Sequence, residues 1–369
     1  MSDRPLVAVL GGGQLGRMLG IAGVPMGVTL RFLDPSPDAG ARAMGELVVG
    51  ELGDEAAVAR VADGAQVVTY EWEGVPAEGA RAIADTVPVR PAPVALEVAQ
   101  DRVHEKETFE RHGIDVAPFA AIDSSDDVAS ALATVGVPAV VKTRRGGYDG
   151  KGQRIVHSAG DARDMWDALG RVPLVVEAFV AFDRELSVLA ARAVDGSTAC
   201  YPLVENEHAD GILRTSYGPA RGLTDELQAA GETIALRLLD DLDYVGVLAV
   251  ELFELDGALL ANEMAPRVHN SGHWTIEGAH TSQFEQHLRA VLGWSLGRAD
   301  ARCPSAMVNC IGRLPDPAAV LAVPDAHLHD YAKSPRPGRK VGHITVVADD
   351  EATLLERLGR VRRLQEDDG

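Results

Sequence analysis

Short apolar runs separated by glycine turns and amphipathic stretches open the chain. Residues 6–10, LVAVL, are apolar without alternation, the pattern of a parallel strand buried on both faces. GGGQLGRM follows and turns the chain into a helix. The runs at 28–33 and 67–70 predict two more strands, ending at Asp34 and at Glu71-Trp72-Glu73. This βαβ rhythm predicts a small doubly wound α/β domain with its ligands at the carboxyl ends of the strands. Pro88, Pro91 and Pro93 punctuate its end. A charged helix is predicted over 94–112, carrying Arg102 and Lys106.

From Pro118 the pattern becomes mixed α+β. Strands are predicted at 139–142 and 153–156 around a glycine-rich loop, then a helix at 161–169, strands at 174–177 and 185–193, and a helix at 226–239. Two consecutive apolar strands follow, joined by a turn at Asp256-Gly257 and ending in the polar loop MAPRVHNSGHW. A last region holds a loop over 331–342, a strand at 343–347 and a helix at 351–364. Three domains are expected: 1–98, 99–292 with a glycine-hairpin lobe at about 118–176, and 293–369.

Composition narrows the class. The 369 residues are 46% hydrophobic and 24% charged, enough for a core and ordinary for an enzyme. No apolar run is long enough to span a bilayer, and the N-terminus lacks the pattern of a secretory leader. Cys200, Cys303 and Cys310 have no metal-finger spacing and are too few for a disulfide framework. A cytoplasmic, reduced protein is expected. The net charge of −20 argues against nucleic acid as a partner. It leaves a phosphorylated small molecule open, because Lys142-Arg144-Arg145 and Arg336-Arg339-Lys340 stand beside glycines in loops.

The densest candidate chemistry lies between 248 and 274. Glu251 and Glu263 interrupt otherwise apolar strands, where an unpaired charge is costly. Two carboxylates on neighbouring strands suit Mg²⁺, which completes its shell with phosphate oxygens. The alternative, a surface hairpin with two solvated acids, leaves that cost unexplained. Gly11-Gly12-Gly13-Gln14-Leu15-Gly16 fits G-x-G-x-x-G after a strand, with Asp34 ending the next. Its glycines expose amides at a helix N-terminus to some anion, without saying which; a packing turn with no ligand is the bland alternative. Lys142 followed by the loop to Gln153 is a second phosphate candidate, though not a Walker A loop, and could instead be a mobile surface hairpin. Glu177, Ala178, Phe179 and Val180 end a strand whose free edge could read an adenine, and Glu185 could hold ribose hydroxyls. A lone histidine such as His208 is as often structural as functional.

Taken in order, GGGQLGRM, the run ending at Glu73, RRGGYDGKGQ, YPLVENEHADGILRTS, NEMAPRVHNSGHWT and KSPRPGRKVGHI resemble the ATP-grasp superfamily. Within it they resemble the N5-carboxyaminoimidazole ribonucleotide synthetases, over essentially the whole chain. The resemblance implies a Rossmann-like (pre-ATP-grasp) domain, a two-lobed ATP-grasp domain and a small C-terminal domain, as a homodimer. It implies carboxyphosphate made from ATP and bicarbonate, then carboxylation of 5-aminoimidazole ribonucleotide with release of ADP and phosphate. ATP would be the co-substrate, with Mg²⁺, or Mn²⁺ in its place. By the same resemblance ATP would meet Arg102, Lys142, Gly147, Tyr148, Asp149, Gly150, Lys151, Gly152 and Gln153. It would also meet Glu177, Ala178, Phe179, Val180, Glu185, His208, Asn262 and Glu263. Glu251 and Glu263 would hold the metal. Gly13, Gln14, Leu15, Glu73, Asn270, Ser271, Arg339 and Lys340 would bind the ribonucleotide. Tyr148, Asp149, Lys151, Arg267, His269 and Lys333 would be catalytic, the last three also touching the ribonucleotide. Trp72, Lys151 and Glu205 depart from common members.

Three other readings compete: a formate-dependent glycinamide ribonucleotide ligase, a nicotinamide-dependent oxidoreductase built on residues 11–16, and a non-catalytic nucleotide-binding module. The HNSGHWT loop disfavours the first, and the second leaves Glu251, Glu263 and Arg267 unexplained. Retention of both carboxylates and all the phosphate cations disfavours the third.

Overall fold

The computed structural model describes residues 4–147, 152–158 and 160–366. Four parallel strands form the first sheet, in the order Glu46–Val49, Thr29–Asp34, Leu6–Leu10, Val67–Tyr70. Val7, Val9, Leu30, Phe32 and Val67 are fully or almost fully buried on it, as an unalternating apolar run requires. The helix Gln14–Gly23 leaves the first strand through Gly11, whose φ of +105° favours glycine.

A second sheet orders Phe119–Ile122, Leu174–Ala178, Ala139–Thr143 and Gln153–Val156, with helix Val128–Val135 against it. These elements form a small lobe around the ends of the glycine-rich loop, the hairpin lobe. The third sheet has nine strands, all antiparallel. Its main path runs Ala258–Ala265, Gly246–Leu255, Arg184–Arg192, Val204–Ala209, Ile212–Gly218, Ser305–Ile311, Lys340–Val347, Ala326–Asp330. Helix Asp225–Asp241 covers one face through Ala235, Leu238 and Leu239; helix Gln283–Val291 covers the other through Phe284 and Leu288. The strands 305–347 therefore continue the sheet that carries Glu251 and Glu263.

Asp256 and Gly257 take φ of +50° and +78°, as a two-residue hairpin turn of the Asp-Gly type demands. Two expectations need correction. The helix predicted over 94–112 is two helices, Pro93–Ala99 and Arg102–Arg111. Asp101 breaks it by taking extended backbone and capping the second helix, accepting the Val103 and His104 amides. The helix predicted over 161–169 is a 3₁₀ turn, Asp161–Asp164, and one α turn, Met165–Ala168, because Gly170 ends it at once. The last strand also begins three residues earlier than expected, at Lys340.

Candidate active site

Glu251 and Glu263 stand opposite each other on paired antiparallel strands. The ladder shifts just beyond them: Leu252 pairs with Ala261, leaving Asn262 as an extra residue. Such a bulge bends a strand and re-aims its side chains. Like charges across a ladder repel. Burial and the neighbouring Glu263 push the Glu251 carboxyl up to about 7. The same two causes push Glu105 up to about 8, and its Oε1 accepts the Met264 amide at 2.7 Å. All three carboxyls line a cleft of about 980 Å³. Its hard oxygens and mutual repulsion suit a divalent cation that is completed by phosphate and water. No cluster of three or more His, Cys, Asp or Glu among the described residues forms a full protein cage.

One wall of the cleft comes from the hairpin lobe and its neighbours. Lys142 Nζ lies 3.0 Å from Glu177 Oε2, and the buried Lys106 Nζ lies 3.2 Å from the same oxygen. Burial opposes the Glu177 charge, but Lys142 and Lys106 outweigh it and hold its carboxyl below the usual range. Lys106 also donates to the Asn262 carbonyl at 3.3 Å. His208 Nδ1 pairs with Glu185 Oε2. Burial resists protonation of His208, yet Glu185 prevails and raises its pKa. Gly147 and Gln153 line the cleft and Gly152 lies beside them in the chain. Ala178, Phe179 and Val180 lie at the strand end outside the cleft lining; the Phe179 amide donates to the Pro138 carbonyl at 3.1 Å. Tyr148, Asp149, Gly150 and Lys151 lie outside the described residues.

The opposite wall gathers the cations. Arg267, Lys333, Arg336, Arg339 and Lys340 all line the cleft, although a long stretch of chain separates the first from the rest. Arg267 Nε donates to Glu73 Oε2. Burial disfavours a charged Glu73, but the guanidinium prevails and holds its carboxyl below the usual range. His269 Nδ1 meets Ser271 Oγ at 2.9 Å and its Nε2 lies 3.3 Å from Glu251 Oε1. Burial, reinforced by Arg267 and Lys340, keeps this imidazole neutral, well below its usual pKa. Ser271 lies outside the cleft lining. Ser271 is fully buried and braces the imidazole from behind. Asn270 exchanges two side-chain hydrogen bonds with Asn309, at 3.0 and 2.7 Å.

The glycine turn differs from a dinucleotide cradle. Gly12 donates its amide to Asp34 Oδ2 at 2.9 Å; Gly13 and Gly16 donate to Glu71 Oε1 and Oε2 at 2.5 and 2.7 Å. A Cβ on Gly13 would come within 2.6 Å of Glu71 Oε1. The close approach that glycine permits is thus used by a protein carboxylate, where a pyrophosphate would need to sit. Gln14 and Leu15 still line the cleft, and Lys333 Nζ donates to Gln14 Oε1.

Sequence reasoning missed several contributors. Lys106 was readable in principle, four residues from Arg102 and on the same helical face. Glu105, Glu71, Asn309 and Gln283 carried no local signal. Gln283 accepts the His269 amide at 2.8 Å and donates to its carbonyl at 2.6 Å, clamping that residue's backbone.

The chain matches the ribonucleotide synthetase preATP-grasp domain over residues 5–100, the ATP-grasp domain over 107–284, and the phosphoribosylaminoimidazole carboxylase C-terminal domain over 305–357. It is 49% identical to the N5-carboxyaminoimidazole ribonucleotide synthase of Pseudomonas aeruginosa, over 98% of this chain and 99% of that one. The chain belongs to the N5-carboxyaminoimidazole ribonucleotide synthases. They are ATP-grasp ligases, so the expected fold class and enzyme class both hold. The solved synthetase from Thermus thermophilus superposes with a TM-score of 0.94 at 54% identity, covering 97% of this chain and 98% of that one. A synthase from Aspergillus clavatus, solved with ADP and 5-aminoimidazole ribonucleotide, superposes at 0.92 with 31% identity, covering all of both chains. These likenesses do not favour the glycinamide ligase or the oxidoreductase.

Proposed function

We propose that the cleft divides the synthase reaction between its two walls. The reaction joins ATP, bicarbonate and 5-aminoimidazole ribonucleotide. ATP lies on the wall of Lys142, Glu185 and His208, with its phosphates toward Glu251 and Glu263. A bicarbonate oxygen attacks the γ-phosphorus, the bond to ADP breaks, and carboxyphosphate forms. The exocyclic amine then attacks the carboxyl carbon, phosphate leaves, and the amine gives up a proton. Mg²⁺ fits Glu251 and Glu263 and would neutralise phosphate charge during transfer. Lys142 acts as a point charge for the phosphates, and the buried Lys106 shares Glu177 with it from behind. Arg102, with Gly147, Gly152 and Gln153, shapes that wall. The adenine would lie along Ala178, Phe179 and Val180, where the chain leaves the lobe.

The ribonucleotide lies on the other wall. Arg339 and Lys340 take its 5′-phosphate, and Lys333 stands nearer the amine and the carboxyl group being transferred. Arg267, locked to Glu73, and Asn270, locked to Asn309, present fixed donors, so little reorganisation is needed as charge moves. A neutral His269 offers a hydrogen bond there without a competing charge. Gln14 and Leu15 supply the edge of the glycine turn.

The observation that carries this reading is the pairing of two half-buried carboxylates across a ladder, in a cleft that two separate groups of cations line. The reading includes a cytoplasmic homodimer. Coupled ADP release tests it: turnover is expected only when bicarbonate and aminoimidazole ribonucleotide are both present. Equal ADP release with formate and glycinamide ribonucleotide would overturn it.

A further inference from the structure

The hairpin lobe meets the body of the protein at one helix start. Asp101 is 4% exposed and accepts four donors. Its Oδ1 takes the Val103 and His104 amides at 3.2 and 3.4 Å, which caps the helix. The same oxygen takes Arg144 Nε at 2.6 Å, and Oδ2 takes Arg145 Nε at 3.2 Å. The next residue extends the junction. Arg102 donates its amide to the Arg144 carbonyl at 3.0 Å, and its guanidinium to the carbonyls of Thr143 and Gly146 at 3.0 and 2.6 Å. Lys106, one turn on, reaches Glu177 at the edge of the lobe. These lobe partners all lie at the root of the glycine hairpin, a few residues from Lys142 or beside it in the sheet.

A cap needs only one acceptor oxygen, and serine or threonine would serve. Burying a carboxylate between two arginines does more than cap. Burial alone would raise the Asp101 carboxyl, but Arg144 outweighs it and holds it below the usual range. We infer that Asp101 is a positioning residue for ATP: by holding Arg144 and Arg145 it fixes the root of the hairpin lobe, so that Lys142 faces the nucleotide phosphates. This rests on the reading that Lys142 serves ATP. When the post is broken the lobe samples other orientations, and apparent affinity falls with the fraction of molecules in the competent one.

The test uses the full-length enzyme and steady-state kinetics. Asp101→Ser keeps a capping oxygen but cannot span two guanidiniums. It is expected to raise KM for ATP by roughly 5- to 30-fold, the loss of one or two charged hydrogen bonds, with KM for the ribonucleotide unmoved. Arg144→Gln should raise it in the same direction, and the double variant should be little worse than Asp101→Ser, because that substitution already breaks the Asp101–Arg144 contact. Thermal midpoints near the wild-type value separate this from general damage. If Asp101→Ser leaves KM for ATP within about twofold while Lys142→Ala raises it, the positioning role is wrong and the ATP reading stands. If Lys142→Ala also has no effect, both fall. Additive effects in the double variant, or equal rises in both KM values, would likewise overturn the role of Asp101.

Discussion

Glu251 and Glu263 are ordinary acids one at a time and become a site only as a pair. Placed opposite each other across a ladder and half-buried, they crowd two acidic groups together, and burial with the neighbouring Glu263 raises the Glu251 carboxyl. Glu263→Gln is therefore expected to lower kcat by on the order of 10²-fold or more, measured at saturating Mg²⁺. Wild-type turnover in that variant would remove Glu263 from the metal. Arg339 sits on the other wall, and its fork suits a phosphate. Arg339→Ala should raise KM for the ribonucleotide roughly 10- to 100-fold while KM for ATP hardly changes. The reverse pattern would put this loop on the other ligand. These residues were legible beforehand because charge inside an apolar run, and arginine beside glycine, are local signals. Glu105 was not, because its burial comes from strand Ala258–Ala265, far away in the chain, and Lys106 was readable only as a neighbour of Arg102 on one helical face, not as the partner of Glu177.

At the scale of elements, the glycine turn shows how far a motif can mislead. Residues 11–16 have dinucleotide spacing, yet their amides are held by Asp34 and Glu71. The glycines are required for that arrangement. Gly11 adopts φ +105°, and a Cβ there would meet Glu71 Cγ at 2.6 Å. Gly11→Ala should therefore destabilise the protein by about 2 kcal/mol or more, read from urea unfolding; a change below about 0.5 kcal/mol, the scale of a neutral surface substitution, would show that the turn adapts. The hairpin turn at Asp256-Gly257 was legible because its chemistry is contained in two residues. The break at Asp101 was missed because its flanks read as one continuous charged helix, although an Asp before a helical run was an available capping signal.

At the scale of the molecule, His287 ties the parallel sheet to the large one. It is fully buried, shares a hydrogen bond with Thr69 at 2.8 Å, and its Nδ1 accepts the Val247 amide at 3.1 Å. Burial lowers its pKa to about 4. The unfolded chain, with an ordinary imidazole near 6.5, binds the proton that the fold refuses. Stability from this residue is thus complete above about pH 6.5 and declines as pH falls toward 4. Between pH 7 and pH 5 the loss from His287 is about 2 kcal/mol. His287→Gln should flatten the pH dependence of unfolding free energy by that amount, whatever its effect at neutral pH. An unchanged slope would mean that the imidazole charges without opening the junction.

The order of strands separates what was readable from what was not. Hydrophobic period and turn chemistry in the sequence determined the elements at 6–10, 139–142 and 248–263, and with them the type of chemistry: carboxylates for a metal, glycine loops and cations for phosphate. Family resemblance then assigned the reaction. Period tells which face of a strand is buried, but not which strand lies beside it. Only the tertiary structure set strand Ser305–Ile311 beside Ile212–Gly218 and Lys340–Val347 next to that. That order carries Lys333, Arg339 and Lys340 into the cleft that Arg267 and His269 line. It also put Glu71 into the glycine turn and Gln283 behind His269, because hydrogen bonds between residues distant in the chain depend on packing that no local pattern encodes.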